Sequence, residues 1–147
     1  MITTIEKVLF LQDIDLFESI STQDLAHIAA ITHEVTFSAD SVIYKEGEGA
    51  DSMFIVIDGR VKLHKDNTEV MTAGPREAFG TWALYDDEPR MVTATALDDS
   101  RLLKIDKEEF LDLLADHVQI IQSLLQTLAK RLKKLLGRVG MDGTRSK

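Results

Sequence analysis

The chain contains no cysteine, which excludes both a disulfide framework and thiolate chemistry. No apolar run reaches the ~18 residues that a bilayer-spanning helix needs. The opening Met1-Ile2-Thr3-Thr4-Ile5-Glu6-Lys7 lacks the charged-then-apolar build of a secretory signal, so a cytoplasmic protein is expected. The four histidines, His27, His33, His64 and His117, are scattered and form no H-E-x-x-H or H-x-H ligand pair. No G-x-S-x-G or kinase-type set occurs either. The acidic clusters Asp86-Asp87-Glu88, Asp98-Asp99 and Glu108-Glu109 fall at turns or a helix start, where solvated carboxylates are ordinary. We therefore expect no catalytic residue, no metal site and no cofactor.

What the chain does have is length for one core and a marked charge asymmetry. Its 147 residues fit a single domain. Residues 1–129 hold 10 Lys/Arg against 24 Asp/Glu, whereas residues 130–147 hold 7 Lys/Arg against 1 Asp. An acidic body argues against wide nucleic-acid contact, because duplex affinity comes largely from neutralising phosphates.

Hydrophobic periodicity divides the chain into three parts. Residues 1–33 read as short helices, the second opened by Ser21-Thr22-Gln23-Asp24, a capping box with Asp in place of Glu. From 34 to 106 the period moves towards two, with strands around Val35/Phe37, Val42/Tyr44, Met53–Ile57, Val61/Leu63, Val70/Thr72, Val92/Ala94/Ala96 and Leu103/Ile105. Asp58-Gly59 reads as the clearest two-residue hairpin turn, and Ala39-Asp40-Ser41, Asp66-Asn67 and Asp98-Asp99-Ser100 as further turns. Many short strands with tight turns imply a closed or double-sheet roll, which removes unpaired edges. Over 107–139 helical period returns, with Asp106-x-x-Glu109 and Asp116-x-x-Gln119 as capping signals for helices of about 107–115 and 117–137. Leu114, Val118, Ile121, Leu125, Leu128, Leu132, Leu135 and Val139 recur at alternating four and three, an a/d seam that Ile120, Leu124 and Leu136 widen. Residues 1–140 are expected to form the domain and 140–147 a flexible tail.

The most informative stretch is Phe79-Gly80-Thr81-Trp82-Ala83-Leu84, followed by Pro89-Arg90-Met91-Val92-Thr93. It reads as a glycine-started helical turn, an acidic loop, and an arginine opening a strand. Glycine permits close backbone approach, and the amides after it lack partners within the turn, so they form an anion cradle. Arg90 can return a planar fork of donors to the same place, in a contact worth about 1.5–3 kcal/mol. The competing reading is a surface arginine paired with Asp86, Asp87 or Glu88. Trp82 reads as core packing against the roll, with stacking near a ligand as the alternative.

This stretch resembles the phosphate-binding cassette of cyclic nucleotide-binding domains. The resemblance extends upstream through Ile43-x-x-Glu46-Gly47-x-x-x-Asp51-Ser52-Met53-Phe54-Ile55-Val56-Ile57-Asp58-Gly59-x-Val61, and covers residues 10 to 136. It implies a mainly β fold: a jelly-roll-like double-stranded β-roll with N-terminal helices and a long C-terminal helix. It also implies a cyclic mononucleotide ligand, cAMP or cGMP, or a related small phosphate. Gly80, Thr81, Trp82, Ala83, Arg90 and Met91 then surround the phosphate.

Several departures from the pattern bear on affinity. Thr81 stands where tight binders carry a Glu that takes the ribose 2′-OH; losing that bond weakens binding roughly 10- to 100-fold. Thr81 is expected to cap the turn. Met91 offers only an amide in place of a hydroxyl, and Arg76 stands where the family has Gly. Leu135 and Leu136, beside Leu132, fall where relatives present a polar pair to the purine. In the family the last helix forms the dimer contact or carries the signal to an output partner, so a homodimer through Ile121, Leu125, Leu128, Leu132 and Leu135 is expected. The basic group Lys130, Arg131, Lys133, Lys134 and Arg138 reads as a solvated face. The residues after Val139 are too few for a DNA-reading domain, so this chain alone is not expected to bind DNA. The alternatives are a ligand-free roll serving as a dimerisation or docking module and, remotely, a cupin-like metal enzyme.

Overall fold

In a computed structural model, residues 2–139 are described. Helix α1 (Thr4–Gln12) opens in a capping box absent from the sequence reading: Thr3 Oγ1 accepts from the Glu6 amide at 3.1 Å, and the Glu6 carboxylate accepts from the Thr3 amide at 2.8 Å. A single turn, Asp15–Phe17, leads to α2 (Thr22–Ala30). Ser21 caps α2 as expected, accepting from the Asp24 amide at 3.1 Å. The reciprocal arm is absent because the Asp24 carboxylate accepts from the Gln119 side chain instead, at 3.1 Å.

The strands are β1 (Thr32–Phe37), β2 (Val42–Tyr44), β3 (Ser52–Asp58), β4 (Val61–Lys65), β5 (Thr68–Ala73), β6 (Ala78–Phe79), β7 (Thr93–Ala96) and β8 (Ser100–Asp106). They form two four-stranded sheets of order β1-β8-β3-β6 and β2-β7-β4-β5, all described pairings being antiparallel. This is the β-roll that the residue pattern implied. β6 is too short to leave a period and was not foreseen.

Asp58-Gly59 is not a hairpin turn. It carries the chain from β3 in one sheet to β4 in the other, while β3 pairs with β8 and β6 and β4 with β7 and β5. A Cβ on Gly59 would lie 2.3 Å from Ser100 Oγ, so the glycine is demanded by the crossing rather than by a hairpin. The tight hairpin is at Asp66-Asn67, where Lys65 pairs with Thr68 and Asp66 takes a φ of +55°.

Two cores explain why β3 reads as a continuous apolar run. Its Phe54 and Val56 face the roll interior with Tyr44, Val61, Phe79 and Leu102. Its Met53, Ile55 and Ile57 face the helices, with Leu11, Phe17, Ile28, Phe110 and Ile120.

Helix α3 (Lys107–Asp116) and helix α4 (Val118–Arg138) meet at His117, whose φ of −136° and ψ of 71° break the helical path. Neither expected carboxylate cap forms. Asp106 occupies the cap position of α3, but no side-chain cap bond is made; it lies 3.7 Å from His33 Nε2 and 3.5 Å from Lys104 Nζ. Asp116 is the last residue of α3 rather than a cap for α4. Along α4, Ile120, Leu124 and Thr127 are buried, and Thr127 Oγ1 donates to Ser19 Oγ at 2.9 Å. The a/d residues Val118, Ile121, Leu125, Leu128, Leu132, Leu135 and Val139 are exposed. Of the residues expected to widen the seam, Ile120 and Leu124 thus pack into the helix-side core and Leu136 is half-buried, and the seam itself points outward. Residues 140–147, expected to be a flexible tail, lie outside the described residues.

Candidate anion-binding site

Gly80 follows β6 with φ 69° and ψ 20°, a left-handed geometry that turns the chain into the helical turn Thr81–Leu84. The turn closes through the Ala83 amide on Gly80 O at 3.2 Å and the Tyr85 amide on Trp82 O at 2.9 Å. The Thr81 and Trp82 amides at its head have no acceptor inside the turn. Gly80 holds the cap position, so Thr81 is its first residue, and the cap expected from its hydroxyl does not form.

Arg90 reaches this turn from the opposite sheet. Its main chain is fixed twice, its amide donating to Glu48 O and its carbonyl accepting from the Gly47 amide, each at 2.8 Å. Its side chain runs inward and is 7 % exposed. Nη2 donates to Ser52 O at 2.7 Å, Nη1 to Gly80 O at 3.5 Å, and the guanidinium lies 3.9 Å from the Tyr44 ring centroid. Nε is enclosed with no partner among the described residues. Burial lowers the Arg90 pKa, opposed by Tyr44, Asp51 and Glu48. Burial also pushes the Tyr44 hydroxyl up, opposed by Arg90.

The surface pairing of Arg90 with the acidic loop is not what occurs. Asp87 pairs with Lys107, which also donates to Asp86 O at 2.7 Å, while the Glu88 amide donates to Asp86 Oδ1 at 3.2 Å. The loop is tied to α3, and Arg90 is left to the roll.

All six residues expected around the phosphate come together. Gly80, Thr81, Trp82, Ala83, Arg90 and Met91 line one cavity of about 730 Å³. Its walls add Tyr44, Leu63, Val70 and Val92, together with Lys65 and Glu46, whose charged groups approach to 3.6 Å. Leu132, Leu135 and Leu136 are not among the lining residues; Leu132 and Leu135 line a different groove, along α4, that also receives Trp82. Trp82 is not packed in the core. It is 60 % exposed and meets Tyr85 edge-on at 6.3 Å, because Ala83 and Leu84 take the inward positions of the turn.

Ser52, Tyr44 and the Gly47-Glu48 backbone were not foreseen as parts of this site. Tyr44 carried only a strand signal, and a carbonyl acceptor such as Ser52 O leaves none. Arg76 keeps the left-handed geometry of a glycine at φ 73°, held by Asp13 at 2.6 Å and by stacking 5.2 Å above Phe10. The histidines are less scattered than their spacing implied. His33 Nε2 lies 2.6 Å from Glu109 and 3.7 Å from Asp106 in a partly exposed polar group, and His27 stacks on His117 at 4.0 Å.

Comparison with known proteins places this geometry. Residues 34–117 match the family model described as the cyclic nucleotide-binding domain. The chain is 28 % identical over 124 residues to the CRP-like cAMP-activated global transcriptional regulator of Mycobacterium tuberculosis, covering 81 % of this chain and 55 % of that protein. It is 32 % identical over 116 residues to the cAMP-dependent protein kinase regulatory subunit of Debaryomyces hansenii, covering 78 % of this chain and 25 % of that one. It therefore spans about half or less of the length of these two relatives. The crystal structure of the N-terminal domain of a transcriptional regulator from Streptomyces coelicolor superposes with a TM-score of 0.79 at 30 % identity, covering 86 % of this chain and 94 % of that one.

Proposed function

The chain belongs to the cyclic nucleotide-binding domain family, and from that premise we propose that it is a non-enzymatic sensor module for a cyclic mononucleotide, cAMP or cGMP. The observation that carries the reading is the buried Arg90 guanidinium, set against Gly80 at the head of a helical turn in one lined cavity. The two exocyclic oxygens of a cyclic phosphate seated there would share the guanidinium donors and the free Thr81 and Trp82 amides. The relatives named for cAMP support the same ligand class.

Binding is weak in this reading. Thr81 provides no carboxylate for a ribose hydroxyl, and Arg90 already spends donors on Ser52 O and Gly80 O. The signal leaves through α4, whose exposed Ile121 and Leu125, on its uncharged half, form the homodimer seam in this reading. For a ligand to act it must bind two arrangements of α4 unequally. No helix of the described residues is long and apolar enough to cross a membrane.

The bonds of Arg90 Nη1 and Nη2 to the chain's own carbonyls also favour a second reading, a ligand-free roll that serves as a dimerisation or docking module. Calorimetric titration with cAMP and cGMP to millimolar concentration separates the two. Saturable heat that Arg90→Ala abolishes supports the sensor. A flat response to both nucleotides leaves the docking module.

A further inference from the structure

The two halves of α4 differ in charge. From Val118 to Leu128 the helix carries no ionisable residue; from Lys130 to Arg138 it carries five cations and no acid. Its distal half is also apolar at the surface, with Leu132 57 % exposed and Leu135 and Leu128 open beside it. Together with the exposed Trp82 these residues line a groove of about 1070 Å³. Asp15 and Glu18 on the groove's other wall approach Arg131 and Lys130 at 3.5 and 4.0 Å. Lys133, Lys134 and Arg138 have no carboxylate within 4.0 Å among the described residues.

A second copy does not complement this half. In a parallel pair of α4 helices the seam is flanked by Arg131 and Arg138 from both chains, and no acid of α4 is available to meet them. The uncharged half, by contrast, has nothing to repel a copy of itself. Extended polyanions fit poorly too. A duplex or an anionic membrane large enough to reach the cations also meets a body with 24 acids in residues 1–129, two of them in this groove.

From this charge pattern we propose that the distal half of α4, with Trp82, is a docking surface for an acidic amphipathic helix of a partner protein. Its leucines would seat along Leu128, Leu132, Leu135 and Trp82, and its carboxylates would meet Lys133, Lys134 and Arg138. The proposal names the chemistry of the output partner and rests on the reading that α4 carries the signal.

The test uses the full chain and a labelled synthetic peptide with leucines at helical spacing flanked by glutamates. Controls are its lysine-for-glutamate counterpart, a DNA duplex and phosphatidylserine vesicles, followed by anisotropy and Trp82 emission. The acidic peptide is expected to bind saturably and to shift Trp82 emission to the blue. Binding should weaken about tenfold or more in Lys133→Glu/Lys134→Glu and fall with rising salt. Circular dichroism verifies that the variant is folded. Equal binding of the lysine peptide, binding to vesicles or duplex alone, or a self-associated chain that takes no peptide would overturn the proposal. Peptide binding without any nucleotide response would overturn the ligand reading alone, and nucleotide binding without peptide binding would overturn this one alone.

Discussion

Gly47, Gly59 and Gly80 all hold left-handed backbone, at φ of +87°, +94° and +69°, yet their surroundings differ enough to separate strain from crowding. An alanine in that region costs about 1–2 kcal/mol whatever its neighbours. At Gly47 a methyl would meet nothing within 4 Å, so strain is the whole effect. At Gly80 it would lie 2.7 Å from Arg90 Nη1 and 3.3 Å from the Tyr44 hydroxyl. An ordinary contact of ~3.5 Å then requires the guanidinium to retreat by roughly 0.8 Å. At Gly59 it would meet Ser100 Oγ at 2.3 Å, Asp99 O at 2.8 Å and Ser100 Cα at 2.9 Å, two of them main-chain atoms that cannot step aside. We expect Gly47→Ala to lower stability by about 1–2 kcal/mol and leave cAMP affinity alone. Gly80→Ala should lose a similar stability but weaken cAMP binding roughly 10- to 100-fold, the worth of one charge-assisted hydrogen bond. Gly59→Ala should cost about 3 kcal/mol or more, through strain and overpacking together. Urea unfolding followed by circular dichroism gives the first quantity and calorimetric titration the second. The reasoning is refuted if Gly80→Ala binds cAMP like the parent, or if Gly47→Ala loses as much affinity as Gly80→Ala.

Thr81→Glu should tighten cAMP binding about 10- to 100-fold by restoring a carboxylate beside the cradle, and an unchanged Kd would remove Thr81 from the explanation of weak affinity. Burial pushes the Tyr85 hydroxyl from 10.0 up to about 12, and it is enclosed without a partner among the described residues. A raised folded-state pKa means stability intact below pH 10 and lost as pH rises towards 12, by up to about 2–3 kcal/mol. Tyr85→Phe should therefore be neutral or slightly stabilising at pH 7 and lose less at pH 11, read from urea midpoints; a clear loss at pH 7 would show that the hydroxyl is satisfied. Leu125→Asp should convert a sedimenting dimer into a folded monomer, and an unshifted sedimentation coefficient would move the dimer contact away from α4. Arg90 has no carboxylate within 4.0 Å among the described residues, so Arg90→Met trades its hydrogen bonds to Ser52 O and Gly80 O and its stacking on Tyr44 against relief of desolvation. Its stability should stay within about 1 kcal/mol of the parent while nucleotide binding disappears, and a loss well beyond 2 kcal/mol would reverse that balance.

The strands, helices and cassette were legible because each rests on local periodicity or on a residue type with one conformational use. What stayed hidden depends on which elements meet. Asp58-Gly59 has hairpin chemistry, yet sheet membership is decided by β8 inserting beside β3 and β7 beside β4, more than thirty residues away in sequence. The heptad spacing of α4 is real, but spacing alone does not say which flank a helix buries. Ile120, Leu124 and Thr127 are buried because the turn Asp15–Phe17 and α3 lie against that side. Asp106 has cap chemistry and the cap position, and still its side chain turns to the His33 ring and the Lys104 ammonium, contacts that a cap bond would forfeit. Trp82 looked like core because large aromatics pack well, and the turn gave its inward places to Ala83 and Leu84 instead.

In the proposed sensor, Arg90 also supplies a physical reason for weak binding. Ser52 begins β3 and Gly80 follows β6, both in one sheet, whereas Tyr44 ends β2 and Arg90 precedes β7 in the other. The guanidinium therefore bridges the sheets, donating to the carbonyls of one while stacked on an aromatic ring of the other. An anion that takes these donors has to compete with Ser52 O and Gly80 O, so its affinity is a difference between two sets of hydrogen bonds rather than the sum of one. The same competition ties occupancy to how the turn Thr81–Leu84 sits against the roll, since releasing Gly80 O loosens the start of that turn. Trp82 lines the groove along α4, so in the proposed sensor a shift of the turn would reach the helix face that a partner would read.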